Sequence, residues 1–281
     1  DLNTTTQDIP SWGEFAGITV KPVEQGDSLD AAVACHQKNI PVTEQLEPIT
    51  CRDDFEADEL NLKHNRPENW VSPYQLLNNP CWQSIPSLHW GSFADAGTAA
   101  GVIARFMASK APICGIIGYW SHGLNHDANP YTPPSENVSP NFEEFIQIKA
   151  RFLQPLRTPD LDDKRRAPLL AERMLYYFTA GENHWKQTAV WPPIGSSMQR
   201  WYLAEQNQLT KTPPTNEVSR DIYPVNFEAG TGPNGRWLQM GAIDYGDRSE
   251  ADQKLLTYTS KPIAQTIEIT GHPLVELFMS S

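Results

Sequence analysis

The clearest hydrophobic pattern along the chain lies between residues 83 and 171. A short apolar run at residues 85–90 precedes a polar turn, and residues 97–108 then carry small and apolar side chains at helical spacing. Residues 112–118 are almost continuously apolar, which is typical of a strand buried on both faces. A second helix is predicted over residues 142–156. Strand, helix, buried strand and helix in this order predict an α/β unit with a parallel sheet.

The segments on either side have different patterns. Residues 1–82 are polar and dotted with aromatic residues, and their clearest element is a helix at residues 29–37, so they are predicted to form a helical segment packed on something larger. Residues 172–281 contain short β-type runs separated by Pro, Gly and Asn, which predicts a β-sandwich or jelly roll. The predicted strands are residues 174–178, 187–191, 199–203, 255–260, 266–270 and 274–279.

Composition narrows the range of partners. The chain has 281 residues and a net charge of −12, and a surface this acidic repels phosphate groups, which disfavours nucleic acid and anionic membranes. The longest apolar run is far shorter than the ~20 residues that span a bilayer, so no membrane span is predicted.

None of the four cysteines belongs to a C-x-x-C pair, and Cys114, within the apolar strand, is expected to be a buried free thiol.

Two residues with catalytic potential follow the two predicted parallel strands. Asp95 comes a short turn after the first strand, and His122 comes after the second. Because the carboxyl ends of parallel strands meet at one edge of a sheet, we expect the carboxylate and the imidazole to lie within hydrogen-bonding distance. In such a pair the carboxylate orients the imidazole, which takes a proton from a nucleophile.

Three alternatives to this pair remain open. Asp95 lies just before a helix and is also placed to be only its N-cap, and His122 is also consistent with a loop histidine without a chemical role. A third alternative is a zinc site. Its ligands would be His122, His126, Asp127 and Asp95. The spacing of the two histidines favours a metal only on a helix, whereas Gly123 indicates a loop.

No serine of the chain has the features of a nucleophile. The sequence contains no G-x-S-x-G, and Ser92 is too close to Asp95 for the two to approach opposite sides of one imidazole. We therefore predict no nucleophile in this chain, no metal and no cofactor. Trp90 and Trp120 are candidate substrate-binding residues that would line an apolar acyl pocket, although aromatic residues belong more often to the core.

At these residues the sequence resembles a known family. Gly118-Tyr-Trp-Ser-His-Gly123 resembles the G-P-W-(S/T)-H-G histidine loop of the cocaine esterase and X-prolyl dipeptidyl-peptidase group of α/β-hydrolases, with Tyr119 in place of the Pro. Gly91-Ser-Phe-Ala-Asp95 is similar to the acid loop of that group, G-W-x-D. Further similar motifs follow in the same order at residues 181–186, 191–193, 200–203, 245–248, 255–260 and 269–273, and upstream at residues 31–39 and 52–54.

The resemblance implies a fold and a function. The expected fold class is α/β plus all-β: a helical cap segment (1–82), the C-terminal part of an α/β-hydrolase sheet (83–171) and the start of a jelly-roll β-sandwich (172–281). The implied function is a serine hydrolase that cleaves a small-molecule ester or amide through an acyl-enzyme. His122 would be the general base and Asp95 its orienting acid.

The same resemblance implies a missing part. The chain begins at Asp1 and ends within an apolar run, so we expect a fragment or a processed chain. Its partner would be an N-terminal segment that carries the nucleophilic serine, and the chain alone would be inactive. The alternative is a non-catalytic binding or interaction module, or a degenerate fragment of such a hydrolase. The sequence leaves the oligomeric state open.

Overall fold

The chain divides into two compact units, Asp1–Gln75 and Leu76–Ser281. The computed structural model describes residues 29–41, 44, 85–157, 173–215, 220–230, 235–237 and 242–280. In the first unit the described element is helix α1, Leu29–His36, which confirms the helix predicted over residues 29–37. Apart from residues 37–41 and 44, the rest of the predicted cap segment lies outside the described residues.

The second unit is built on a four-stranded sheet with the strand order β1-β2-β3-β4. The strands are β1, Ser87–Ser92; β2, Ile113–Gly118; β3, Met174–Thr179; and β4, His184–Thr188. The pairs β1–β2 and β2–β3 are parallel, and β4 runs antiparallel to β3. The predicted α/β unit with a parallel sheet is therefore confirmed for β1 and β2.

Helix α2, Thr98–Ala108, covers one face of this sheet. Its buried side chains recur at helical spacing and pack on Ile113, Ile117 and Leu175 of the strands. The sheet contributes glycines where the helix comes closest: a Cβ on Gly91 would lie 2.7 Å from the Thr98 carbonyl oxygen. The absence of that side chain lets the first turn of α2 lie directly against the end of β1.

Helix α3, Phe142–Arg157, contributes to the opposite face. Its Ile148 packs on a cluster that contains Cys114 and Ile116, the β2 side chains that alternate with those facing α2. Every residue of β2 is buried as a result, as the continuous apolar run predicts. Cys114 is a buried free thiol, which confirms that prediction. Within the described parts of the chain, no helix has the length and apolar character needed to cross a membrane.

The C-terminal segment departs from the prediction. The strand predicted at residues 174–178 is β3, which extends the α/β sheet as a parallel neighbour of β2, and β4 follows it. Two short strands, β5 (Tyr202–Ala204) and β6 (Gln208–Thr210), form a separate hairpin. A single short helix, α4 (Ser249–Asp252), follows among the described residues.

The prediction of strands at residues 255–260, 266–270 and 274–279 is wrong. These residues are not strands, and their one bridge to another described segment joins Thr259 to Gln208. A β-type composition favours extended backbone, but a strand also needs a hydrogen-bonded neighbour, and no other described segment pairs with these three. The jelly roll and the division into three segments remain predictions.

Candidate catalytic site

The loop that follows β1 places Asp95 at the carboxyl edge of the sheet. The Thr98 hydroxyl accepts a hydrogen bond from the Ser92 N–H (3.0 Å) and donates one to the main-chain oxygen of Asp95 (2.9 Å). The N-cap position of α2 is Gly97, and no side chain caps the helix. The carboxylate of Asp95 is therefore not used as a helix cap, which argues against the first alternative.

The loop that follows β2 presents His122. Gly118 has no side chain, and the ring of Trp120 occupies the space that a Cβ at this position would fill. Ser121 is fully buried and closes the loop: its N–H donates to the His126 carbonyl (2.9 Å), and its hydroxyl accepts from the His126 N–H (3.2 Å). These bonds hold the short 3₁₀ turn His122–Leu124 at the tip of the loop.

The structure brings Asp95 and His122 together. The Nδ1 atom of His122 lies 3.2 Å from Oδ1 and 3.3 Å from Oδ2 of Asp95. A neutral imidazole that donates from Nδ1 keeps a lone pair on Nε2, so this contact selects the form that accepts a proton at Nε2. The pair can therefore take up a proton from a hydroxyl group placed beside Nε2.

Ser92 lies at the base of both loops. Its side chain is fully buried, and its Oγ accepts hydrogen bonds from the N–H groups of Ala94 (3.0 Å) and Trp120 (2.8 Å). A buried hydroxyl that is engaged in this way is not exposed to a substrate. The geometry agrees with the exclusion of Ser92 as a nucleophile. The hydrogen bond between the Ser92 hydroxyl and the main-chain N–H of Trp120, in the second loop, has no signal in the sequence.

The two predicted substrate-binding tryptophans lie in the core on the α3 side of the sheet. Trp120 is 4% exposed, its ring centroid is 6.0 Å from that of Trp90, and Trp90 makes an edge contact with Phe145 of α3 at 4.5 Å. Trp120 also lies 6.4 Å from Trp185 of β4. This placement favours the core alternative for both residues over an acyl pocket.

A second aromatic pair joins the loops that follow β1 and β2. The rings of Phe93 and Tyr119, each the first residue after its strand, lie 5.2 Å apart. Burial raises the pKa of the Tyr119 hydroxyl, with a smaller contribution from Tyr245 and Tyr131. Sequence reasoning missed this pair, although its signal is visible: each strand is followed at once by an aromatic residue.

The zinc alternative receives no support from the geometry. Among the residues that the structure describes, no group of three or more His, Cys, Asp or Glu side chains is placed to hold a metal ion. The Asp127 carboxylate accepts a hydrogen bond from the Thr132 hydroxyl (3.5 Å). Burial raises the pKa of Asp127, and this hydrogen bond and those from nearby backbone N–H groups oppose the rise. Hydrogen bonds within its own loop therefore account for the position of the Asp127 carboxylate without a metal ion.

The C-terminal part of the chain matches a known domain family. Residues 170–281 match the model of the X-Pro dipeptidyl-peptidase C-terminal non-catalytic domain. That match includes β3 and β4, which complete the sheet whose edge carries the Asp95 and His122 loops. The region similar to this domain family therefore includes two strands of the sheet that carries the site.

Particular relatives match the whole chain. Two mycobacterial proteins, each named "Putative serine esterase", one from Mycobacterium bovis and one from Mycobacterium tuberculosis, are each 27% identical to it over 304 aligned positions. The alignments cover 100% of this chain and 46% of each relative, so the chain spans about half the length of the curated relatives that it matches. Together with the domain match, they confirm the resemblance to the cocaine esterase and X-prolyl dipeptidyl-peptidase group of hydrolases.

Proposed function

We propose that this chain is part of a serine hydrolase that cleaves ester or amide bonds through an acyl-enzyme, and that it contributes the acid and the base of the catalytic triad. The observation that carries the proposal is the contact between His122 Nδ1 and Asp95 Oδ1, at 3.2 Å, on the loops that follow two adjacent parallel strands. The similarity to proteins named as serine esterases supports the same class.

The contact between His122 and Asp95 supports one role for each residue. His122 Nε2 takes the proton of a serine hydroxyl while the serine oxygen attacks the substrate carbonyl, and Asp95 stabilises the imidazolium that forms. The same nitrogen then gives this proton to the leaving alcohol or amine as the carbon–heteroatom bond breaks. In the second half of the reaction, His122 takes a proton from water, which attacks the acyl-enzyme, and returns it to the serine oxygen.

The serine in this proposal comes from outside the chain. The relatives are about twice as long as the aligned region, and we propose that the nucleophile and the oxyanion donors belong to the corresponding remainder of the complete protein. A base without a nucleophile has nothing to activate, so the chain alone is expected to be inactive. The substrate class that fits is a small ester or amide.

A fluorophosphonate probe and a p-nitrophenyl ester test the proposal in the complete protein. We expect His122→Ala to abolish labelling and to lower turnover by about 10⁴-fold or more, because the general base is removed. The matched control is His184→Ala, which removes an exposed histidine of β4 and leaves both loops intact. Undiminished turnover in His122→Ala would refute the assignment.

A non-catalytic binding role is the second candidate, and one observation favours it. The family model that matches residues 170–281 is described as a non-catalytic domain. The described part of that region also exposes large apolar side chains, among them Phe227 (95% exposed) and Phe278 (96% exposed). The same probe separates the two candidates: a complete protein that is neither labelled nor active on esters supports the binding role.

A further inference from the structure

The buried hydroxyl of Ser92 joins the two loops that carry the candidate acid and base. One N–H donor to its Oγ belongs to Ala94, the residue before Asp95, at 3.0 Å. The other is the main-chain N–H of Trp120, which lies 28 positions after Ser92 and two residues before His122, at 2.8 Å. A serine oxygen has two lone pairs, so it can accept both bonds at once.

This connection lies beyond the last pair of the parallel ladder. The register of β1 and β2 ends at Ser92 and Gly118, and one more backbone bond follows, from the Phe93 N–H to the Gly118 oxygen (2.9 Å). Beyond this bond, each of the two segments continues into its own loop. The Ser92 hydroxyl bridges them at the point where the regular ladder no longer does.

We propose that Ser92 is a positioning residue, whose hydroxyl sets the separation of the Asp95 and His122 side chains. Its catalytic consequence rests on the proposed hydrolase function, whereas its effect on the imidazole does not. Loss of the hydroxyl leaves two N–H groups in the interior without their acceptor, so the loops must shift to satisfy them. A displacement of about 1 Å in a reacting pair is enough to cost about 100-fold in rate.

The chain contains a matched control for this residue. Ser109 is also buried, at 5% exposed, and its Oγ also accepts a hydrogen bond from the N–H two residues later, that of Ala111 (3.2 Å). It lies between the end of α2 and the start of β2, at the edge of the sheet opposite to the two loops. Ser109→Ala therefore reproduces the loss of a buried serine without touching the site.

The first experiment measures the tautomer of His122 in the full chain labelled with ¹⁵N-histidine. The ring nitrogen shifts report the fraction of the Nδ1–H form. We expect Ser92→Ala to lower this fraction at least two-fold relative to the wild type and Ser109→Ala to leave it unchanged. In an Asp95→Asn background, Ser92→Ala should have no further effect, because Ser92 acts through the carboxylate. Equal His122 spectra in the wild type, Ser92→Ala and Ser109→Ala would overturn the proposal.

The second experiment measures ester hydrolysis by the complete protein. We expect Ser92→Ala to lower kcat about 10- to 100-fold with KM changed less than about two-fold, since the substrate does not touch Ser92. Ser109→Ala should keep the wild-type kcat. If Ser92→Ala does not fold, Ser92→Cys replaces it, because a thiol of similar shape is a weaker acceptor.

The two experiments together distinguish failure of the positioning role from failure of the hydrolase proposal. A changed tautomer in Ser92→Ala combined with an inactive wild-type protein supports the positioning role and refutes the hydrolase proposal. A wild-type protein that is active, with Ser92→Ala equal to Ser109→Ala in both the His122 spectrum and kcat, refutes the positioning role alone.

Discussion

Asp95 is the covered member and His122 the exposed member of one hydrogen-bonded pair. Their side chains are 15% and 51% exposed, and Oδ1 of Asp95 lies 3.2 Å from Nδ1 of His122. A carboxylate that is shielded from water interacts more strongly with its partner, and an exposed imidazole can be reached by a reacting group. This difference in exposure fits the proposed roles, in which Asp95 orients the imidazole and His122 reacts.

Asp95→Asn tests this division of roles in the complete protein. An amide can donate its own N–H to Nδ1 and so favours the wrong tautomer of His122, while the size of the side chain is kept. We expect kcat to fall by about 10³- to 10⁴-fold. The measurement is steady-state hydrolysis of a p-nitrophenyl ester.

The control for this variant is Asp127→Asn. Asp127 lies in the same loop as His122, but its carboxylate accepts a hydrogen bond from Thr132 instead. We expect it to keep kcat within about three-fold, because no reacting group depends on it. An Asp95→Asn protein with the activity of Asp127→Asn would show that the carboxylate does not act on His122.

Gly118→Ala is expected to lower stability and to disturb the site. The new Cβ would overlap the Trp120 ring, which is itself buried and therefore has little room to move. Overpacking of this kind costs about 1–3 kcal/mol of the free energy of unfolding. A shift of Trp120 would also move its main-chain N–H away from the Ser92 hydroxyl, so activity should fall together with stability.

Gly101→Ala is the opposite case. Gly101 lies inside α2 and is exposed, and a Cβ at this position would have no neighbouring heavy atom within 4 Å. Alanine is the better helix former, so we expect the free energy of unfolding to rise by about 0.5–1 kcal/mol. Chemical denaturation of both variants measures the difference. If Gly118→Ala is as stable as Gly101→Ala, the close contact with Trp120 is wrong.

Cys114 and Cys35 are expected to differ in their reactivity towards alkylating reagents. Burial raises the pKa of the Cys114 thiol from 9.0 to about 11, so at pH 8 almost none of it is thiolate, and the side chain is 1% exposed. Cys35 is exposed on α1. Iodoacetamide at pH 8 should modify Cys35 at least ten times faster, as measured by peptide mass spectrometry. Similar rates at both sites would contradict the buried position of β2.

Elements are predictable from the sequence where burial alone decides them. Residues 112–118 and 97–108 correspond closely to β2 and α2, because a continuous apolar run and a helical apolar stripe each allow one solution. The proximity of Asp95 and His122 is also predictable, since the carboxyl ends of parallel strands meet at one edge of the sheet. In these cases local pattern and tertiary environment agree.

Pairing cannot be predicted in the same way. The β-type run at residues 174–178 is predicted as part of a C-terminal sandwich, yet β3 joins the parallel sheet, because apolar alternation does not identify the neighbouring strand. Residues 274–279 have strand composition but no ladder partner among the described segments. The link from Ser92 to Trp120 is equally hidden, since a hydrogen bond across two loops has no signature in either loop alone.

Lys186 and Glu268 join β4 to a segment far along the chain and should make stability depend on pH. Lys186 Nζ lies 2.6 Å from Glu268 Oε2 and 2.5 Å from Glu182 Oε2. Hydrogen bonds from Lys186 and Thr270 lower the pKa of Glu268 below its ordinary 4.5, and the bonds to Glu182 and Glu268 raise the pKa of Lys186 above 10.5.

The sign of the effect follows from these two directions. A carboxyl group with a lowered pKa stabilises the folded state above about pH 4.5 and loses this contribution as the pH falls through its folded value. The lysine contributes fully below pH 10.5 and loses its contribution as the pH rises through its own folded value. The Tm difference between wild type and Glu268→Gln should therefore be largest between about pH 6 and 9 and should shrink as the pH falls below 4.5.

Glu276→Gln, which removes the same charge from the same exposed C-terminal segment, controls for net charge. Because the ion pair is close to water, 1 M NaCl should reduce the Tm difference of Glu268→Gln at pH 7. A Tm difference that is the same at pH 3 and pH 7, or that equals that of Glu276→Gln, would mean that Lys186 does not hold Glu268 in solution.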